Sequence, residues 1–308
     1  MLEFHSVTPA DRLWLEPILF TAGEPAADYS FVNIYAWAEA FKMSVCRLGE
    51  RVTVRGTLDG RTAYSFPVGH GPLVPAVESI LADARENGRI PAFTWLTEPD
   101  LDDLSEAFPG AFTFTELRDR EDYIYSARRL ALLEGRKLHA KRTHIRRFEE
   151  THPDWSFTPM TAGDTALCRE LDDAWTGERT DPVPEQEALR RCLESFDALG
   201  LVGGILRVNG EAAAFTMASR VSPDTFDVHF EKARPGMEDT YPVINREMAR
   251  YLSTLGPEEL WLNREDDMGL DGLRKAKCSY QPDLLLHKWE ARLIPTKTEE
   301  QTGWEVLK

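Results

Sequence analysis

The sequence predicts an α/β (α+β) protein built from two similar halves, each a mixed, largely antiparallel sheet flanked by helices. Two runs of three short strands, at 43–68 and 201–232, are each preceded by helical patterns and followed by a helix, a strand, a helix and a strand. The order is the same both times, which is the mark of a duplicated unit. The length of 308 residues suits two domains of ordinary size, and 42% hydrophobic with 29% charged residues is a globular composition.

Asp11 to Phe20 has a helical pattern, and a second, aromatic one surrounds Phe31-Val32-Asn33-Ile34-Tyr35-Ala36-Trp37. Met43 to Leu48, Arg51 to Leu58 and Thr62 to Val68 read as strands, with turns at Gly49-Glu50 and Asp59-Gly60 making an antiparallel meander. Leu73 to Asn87 is a helix stopped by Gly88, Ala92 to Leu96 a buried strand, and Pro99 to Phe108 a short helix. Strands near Phe112 to Leu117 and Tyr123 to Tyr125 complete the half. In the second half a strand at Trp155 to Met160 precedes helices at Asp164 to Trp175 and Glu185 to Ala198. Leu201 to Val208, Glu211 to Val221 and Thr225 to Lys232 form the second meander, turning at Asn209-Gly210 and Ser222-Pro223-Asp224. Thr240 is placed to cap a helix running to Leu255; then come a strand at Leu260 to Asn263, a helix at Leu270 to Lys277 and a final strand at Leu284 to Leu293. This is the element order of a GNAT-type acyltransferase domain, met twice.

The net charge is -16, yet Arg128 to Arg147 holds eight Lys/Arg and one Glu. Such a segment in an acidic chain meets an anion or closes an ion-pair network. The acidic remainder disfavours DNA and general membrane coating while permitting a local basic dock, for instance for tRNA. No apolar run approaches the ~18 residues of a membrane span, and the start has no hydrophobic signal core. Cys46, Cys168, Cys192 and Cys278 are scattered singly, as free thiols in a reducing compartment are, so the expectation is a cytoplasmic protein with no disulfide frame or zinc site.

Three places put charge where a core is expected. After Gly135 a helix runs from Arg136 to about Glu150, with Leu138, Ile145 and Phe148 as its buried stripe. Lys141 and Arg142 fall on that side, whereas Arg136, Arg146 and Arg147 face water. A cation turned toward a core needs an anion or a snorkelling stem. The strand Thr225 to Glu231 alternates, with Phe226, Val228 and Phe230 on one face and Asp227, His229 and Glu231 on the other. The second set reads either as the solvated face of an edge strand or as the source of a general base. No further His or Cys cluster completes a metal set there, so no metal is expected. The helix after Met268 carries Leu270, Leu273, Arg274 and Lys277 on one stripe, just past the acids of Asn263-Arg264-Glu265-Asp266-Asp267. The two cations either pair with those acids or line a polar pocket at the strand end.

The stretches DYSFVNIYAW, DYIYSARRLALLEGRKLHAKRTHIRRF, VHFEKA, YPVINREMA and LNREDDMGLDGLRKAKCSYQP resemble a bacterial family related to the C-terminal domain of phosphatidylglycerol lysyltransferase. The resemblance covers nearly the whole chain. It implies tandem GNAT-like domains as in the Fem-type aminoacyltransferases: 1–127, a basic linker 128–150, a second domain 151–294 and a polar tail 295–308. It also implies transfer of an activated aminoacyl or acyl group to an amine or hydroxyl, with aminoacyl-tRNA or an acyl-CoA as donor and the basic segment 128–147 as a tRNA contact. The matching positions are Lys141 and Arg142, His229, Glu231 and Lys232, Tyr241 and Asn245, and Asn263, Glu265, Arg274, Lys277 and Tyr280. Among them His229 or Glu231 is the candidate proton acceptor and Asn263 or Tyr280 the candidate oxyanion donor; the others are candidate substrate contacts.

Two departures from the family pattern matter: Thr143 stands where Asn is usual, and Arg234-Pro235-Gly236-Met237-Glu238-Asp239 replaces the phosphate-cradling loop of acetyl-CoA-dependent relatives. That cradle needs bare N–H groups, and two acids there argue against acetyl-CoA at the usual place. The alternative function is a non-catalytic module that holds a small anionic metabolite between the halves. A third reading makes the cations mere cement.

Overall fold

The structure is a computed structural model and describes residues 2–22, 25–58, 60–176 and 184–295. The expected tail beyond Pro295 and Asp59 of the first expected Asp-Gly turn lie outside the described residues. The first half runs β1 (His5–Ser6), α1 (Arg12–Ala22), α2 (Phe31–Ala36), β2 (Ser44–Leu48), β3 (Arg51–Leu58), β4 (Arg61–Ser65), β5 (Val68–Gly69), α3 (Leu73–Glu86), β6 (Ala92–Leu96), α4 (Glu98–Ala107) and β7 (Phe112–Glu116). Then follow β8 (Asp122–Ser126), α5 (Ala127–Leu132), α6 (His139–Thr151), β9 (Ser156–Pro159), α7 (Thr165–Thr176), α8 (Pro184–Glu194), β10 (Val202–Val208), β11 (Glu211–Ser222) and β12 (Thr225–Ala233). The chain closes with α9 (Tyr241–Ser253), β13 (Trp261–Asn263), α10 (Asp271–Cys278), β14 (Leu284–Leu286) and β15 (Trp289–Leu293).

Both meanders form as expected, β2-β3-β4 and β10-β11-β12, and each continues through a helix into a parallel strand. β4 pairs parallel with β6 across α3, and β12 pairs parallel with β13 across α9. A crossover of this kind needs a helix, which is why the two helices recur at equivalent places.

The sheets then exchange strands. β8 leaves the first half and inserts between β13 and β14, while β15 returns from the C-terminal end and inserts between β6 and β7. The single final strand expected from Leu284 to Leu293 is therefore two strands in different sheets, broken at His287-Lys288. Sequence periodicity runs straight through this break, because both pieces are apolar and extended. An edge between residues 127 and 128 divides the chain but not the sheets.

At the break Lys288 is buried between two carboxylates, donating to Asp122 at 2.6 Å and pairing with Asp28. Burial opposes its charge, but Asp122 and Asp28 outweigh that and hold the ammonium pKa above its ordinary value. Asp122 also accepts from Ala27 N at 2.8 Å and from Asn263 at 2.8 Å, so β8, β13, β15 and the turn before α2 meet on one ion cluster.

One core cluster lies between the halves, where Leu15, Leu19, Phe31 and Tyr35 pack with Leu189, Phe196, Phe215 and Phe230. A second fills the other face of the second sheet, beneath α5, α6 and α9. Leu138, Ile145 and Phe148 are buried there as the helical spacing predicts, so 128–150 is part of this packing rather than a separate connector. The four cysteines are free, with Cys46, Cys168 and Cys192 buried. No helix among the described residues is long and apolar enough to cross a membrane.

Replacing Lys288 by Met leaves Asp28 and Asp122 facing each other without a cation. The expected loss is about 3–5 kcal/mol of unfolding free energy, read from urea denaturation. Unchanged stability would mean that the cluster does not tie the sheets together.

Candidate functional site

β12 and β13 are hydrogen-bonded only from Thr225–Asp227 to Trp261–Asn263, after which they part. β12 also carries a bulge: Met217 opposes Phe230 and Ala218 opposes Val228, which leaves His229 without a partner on β11. The extra residue changes which side the strand presents. Phe226 packs in the second core cluster and Phe230 in the first, so the two do not share a face as strict alternation predicts. Nor is β12 an edge strand. It lies between β11 and β13, and Asp227 is fully buried.

Where the strands part, a cavity of about 1450 Å³ opens, walled by both halves: Trp37, Phe41 and Arg118 from the first, β12, α9 and α10 from the second. Typical small-ligand sites occupy roughly 300–1,000 Å³, so two reactants fit side by side. Lys141, Glu231, Lys232 and Tyr280 line it, as do His229, Tyr241, Glu265 and Lys277. Arg142, Asn245, Asn263 and Arg274 do not.

The floor is a cationic cluster around one carboxylate. Arg264 pairs with Glu231 at 3.0 Å, and its guanidinium lies 5.2 Å from the Tyr280 ring centre. Lys141 reaches in from α6 with Nζ 3.8 Å above the same ring, and no protein acceptor among the described residues takes its N–H groups. Burial lowers the Lys141 pKa, and repulsion from Arg264 adds to this. Burial also raises the Glu231 carboxyl above its ordinary value, against the pull of Arg264. Asn245 sits behind them, its amide oxygen turned to accept from Arg264 at 3.2 Å. Periodicity does not single out Arg264, although it stands inside the block Asn263 to Asp267.

A second polar cluster lies two residues back along β12. His229 Nε2 bonds Ser219 Oγ at 2.7 Å, and Nδ1 faces Asn33 Oδ1 at 3.2 Å, Glu265 Oε1 at 3.3 Å and Asp227 Oδ2 at 3.4 Å. Asn33 Nδ2 donates to both Asp227 and Glu265, at 3.1 and 3.0 Å. Burial, then the neighbouring carboxylate of Glu265, pushes the Asp227 carboxyl well above the usual range. With both ring nitrogens engaged and its side chain only 1% exposed, His229 is poorly placed to take a proton from a substrate. In the sequence only its place in DYSFVNIYAW marks Asn33.

The remaining candidates organise the protein. Lys277 donates to the carbonyls of Arg264, Glu265 and Asp266, holding the loop in which Glu265 adopts φ +57. It pairs with carbonyls, not with the acids' side chains. Asn263 is fully buried, bonds Pro25 O and Asp122, and accepts from Glu265 N at 2.7 Å, so its amide is spent before any oxyanion could reach it. Arg274 pairs with Asp267 at 2.8 Å and Asp119 at 2.7 Å. Lys232 is buried against Glu185 at 2.7 Å. Arg142 donates to the carbonyls of Leu133 and Gly135, closing the C-terminal end of α5. Leu270 is 54% exposed and lines the cavity, so the stripe expected of α10 is buried at Lys277 but not at its first position.

The loop before α9 is self-occupied. Gly236 N donates to Glu238 Oε1 at 3.0 Å, and Thr240 donates its hydroxyl back to Met237 O at 2.6 Å instead of accepting from the helix.

The family model described as phosphatidylglycerol lysyltransferase, C-terminal, matches residues 21–292. The chain belongs to this family. Among solved structures, a conserved protein of unknown function from Bacteroides thetaiotaomicron is 35% identical, with a TM-score of 0.89 over 96% of this chain and all of that one. L-PGS from Bacillus licheniformis shares the fold at 14% identity and a TM-score of 0.62, over 91% of this chain and 96% of its own. FemX shares it at 10% identity and 0.57, over 99% of this chain and 100% of its own. No curated protein matches the chain. The fold is thus the tandem GNAT-like one of this lysyltransferase-related family, and the family match supports an acyl- or aminoacyltransferase-like role.

Neighbouring cations on α6 should separate cleanly on substitution. Arg142→Ala is expected to lose about 1 kcal/mol of stability, because two carbonyls at the end of α5, one of them part-buried, lose a charged donor. Lys141→Met should leave the melting temperature within about 1–2 °C, since no protein acceptor loses a partner. Thermal unfolding of the two variants checks this, and equal losses would contradict the geometry.

Proposed function

We propose that this lysyltransferase-family protein moves an aminoacyl or acyl group inside the cavity where β12 and β13 part. The observation that carries the reading is that Lys141, an ammonium with unused N–H groups, and Glu231, a carboxyl of raised pKa, both line that opening. The acceptor amine or hydroxyl gives its proton to Glu231 and attacks the donor's carbonyl carbon. Lys141 stabilises the oxyanion that forms. When the tetrahedral species collapses, the carbon–oxygen bond to the donor breaks and Glu231 returns the proton to the leaving oxygen. Arg264 and Asn245 hold Glu231 in place, and Tyr280 fixes Lys141 through its ring.

Aminoacyl-tRNA fits as donor better than acetyl-CoA. Glu238 already occupies the Gly236 N–H that a pyrophosphate would need. Arg128, Arg136, Lys137, Arg146 and Arg147 are exposed on the segment that also carries Lys141, which suits phosphate contacts. A phospholipid acceptor is one version of this chemistry; nothing in the cavity singles it out over a soluble amine. Binding without transfer, for a small anionic metabolite, is the alternative favoured by the full internal engagement of His229 and Arg264.

The test is single-turnover release from a panel of aminoacyl-tRNAs and from acetyl-CoA, with hydroxylamine and with phosphatidylglycerol vesicles as acceptors. Transfer from aminoacyl-tRNA, weakening steeply with salt, is expected. Glu231→Gln should slow it by about 10²–10⁴-fold and Lys141→Met by about 10²–10³-fold. Ligand binding with no transfer in any combination would leave only the binding module.

The pH profile gives a separate check. Glu231 must be ionised to accept a proton, and its folded pKa is raised. The rate should therefore climb with pH through that raised value, and the limb should vanish in Glu231→Gln. A rate that is flat in pH would remove Glu231 as the base.

A further inference from the structure

The second polar cluster does something that the transfer chemistry does not use. Asp227, His229 and Glu265 bring their ligand atoms within 4.8 Å of one another, from β12 and from the loop after β13. Asn33 closes the set from α2 of the other half. Four carboxylates, Asp28, Asp122, Asp227 and Glu265, crowd this interior, and the buried cation Lys288 is already shared by Asp28 and Asp122. Asp227 is fully buried, and its Oδ1 has no hydrogen-bond partner. With Oδ1 bare and Oδ2 held only by the Asn33 amide at 3.1 Å and the His229 ring, this buried carboxyl calls for a cation or a proton.

We propose that Asp227, His229, Glu265 and Asn33 form a binding site for a divalent first-row metal ion such as Zn²⁺ or Mn²⁺. The spacing fits. Around an ion with bonds of about 2.0–2.1 Å, tetrahedral ligands stand about 3.3 Å apart. His229 Nδ1 lies 3.3 Å from Glu265 Oε1 and 3.4 Å from Asp227 Oδ2. The Asn33 amide nitrogen stands 3.1 and 3.0 Å from the same two oxygens, where a cation's partner would stand. Turning that amide over presents Oδ1 as the fourth ligand. Ser219 holds His229 through the opposite ring nitrogen at 2.7 Å, the arrangement that fixes a ligating imidazole's tautomer and direction. An imidazole beside carboxylates at tetrahedral spacing favours Zn²⁺ over Mg²⁺ or Ca²⁺, and Mn²⁺, which also takes carboxylates, serves as a paramagnetic probe. Glu265 is a quarter exposed to the cavity, which gives the ion an entry path. This site stands whether or not the cavity transfers an acyl group.

The full chain, stripped with chelator and dialysed, is titrated with Zn²⁺ by calorimetry and with Mn²⁺ by electron paramagnetic resonance. A single ion per chain is expected at this site. The isosteric changes Asp227→Asn and Glu265→Gln should each weaken binding by more than about tenfold, and Ser219→Ala by about tenfold or more. The competing group Glu116, Glu121 and His287 is tested by His287→Gln, which should leave this binding unchanged. Circular dichroism of each variant checks that folding is retained. Absence of binding, or binding lost in His287→Gln and kept in folded Asp227→Asn and Glu265→Gln, overturns the proposal.

Discussion

Lys288 sits where the last strands of the chain pass from one sheet to the other, and its ammonium is shared by Asp28 before α2 and Asp122 of β8. The loop that carries Arg264 and Glu265 is fixed relative to that contact. Asp122 holds Asn263, Asn263 holds the backbone of Glu265, and the same loop carries Arg264 to Glu231. A buried pair of this kind adds little stability over an apolar substitute, but it is strongly destabilising to break. Its consequence here is registration: β8 and β15 can enter the opposite sheets in only one alignment if all three charges are to be satisfied.

Strand exchange also explains why the cavity has two owners. With β8 beside β13 and β15 beside β6, the first half cannot drift from the second without breaking both sheets. Asn33 of α2 therefore reaches His229 and Glu265 reliably, and Trp37 and Phe41 form a wall over β12. The same fixity accounts for Lys277. Its three N–H groups take three successive carbonyls, a use of a lysine that orders backbone and keeps Glu265 in a left-handed conformation.

The division of labour among cations is the chemical core of the site. Arg142, Lys232, Arg274 and Lys277 each meet protein oxygens, whereas Lys141 meets a ring face that satisfies its charge without using its donors. A cation held in this way is oriented and still able to bond. On that difference rests the choice of Lys141 as the group that meets a reactant.

The sequence by itself determined the element order up to the last strand, the two meanders and the buried stripe of α6, because these follow from local periodicity and turn residues. The family blocks also located most of the cavity wall, since Lys141, Glu231 and Tyr280 stand within them. Tertiary structure alone decided the rest. Alternation could not reveal the bulge at His229, which depends on the register of β11 against β12. An unbroken apolar run could not reveal that Leu284–Leu286 and Trp289–Leu293 enter different sheets, because sheet choice is made by long-range pairing and one buried ion cluster. Asn33 and His229 are 196 residues apart in the chain. Only the folded halves, locked by exchanged strands, bring them to hydrogen-bonding distance.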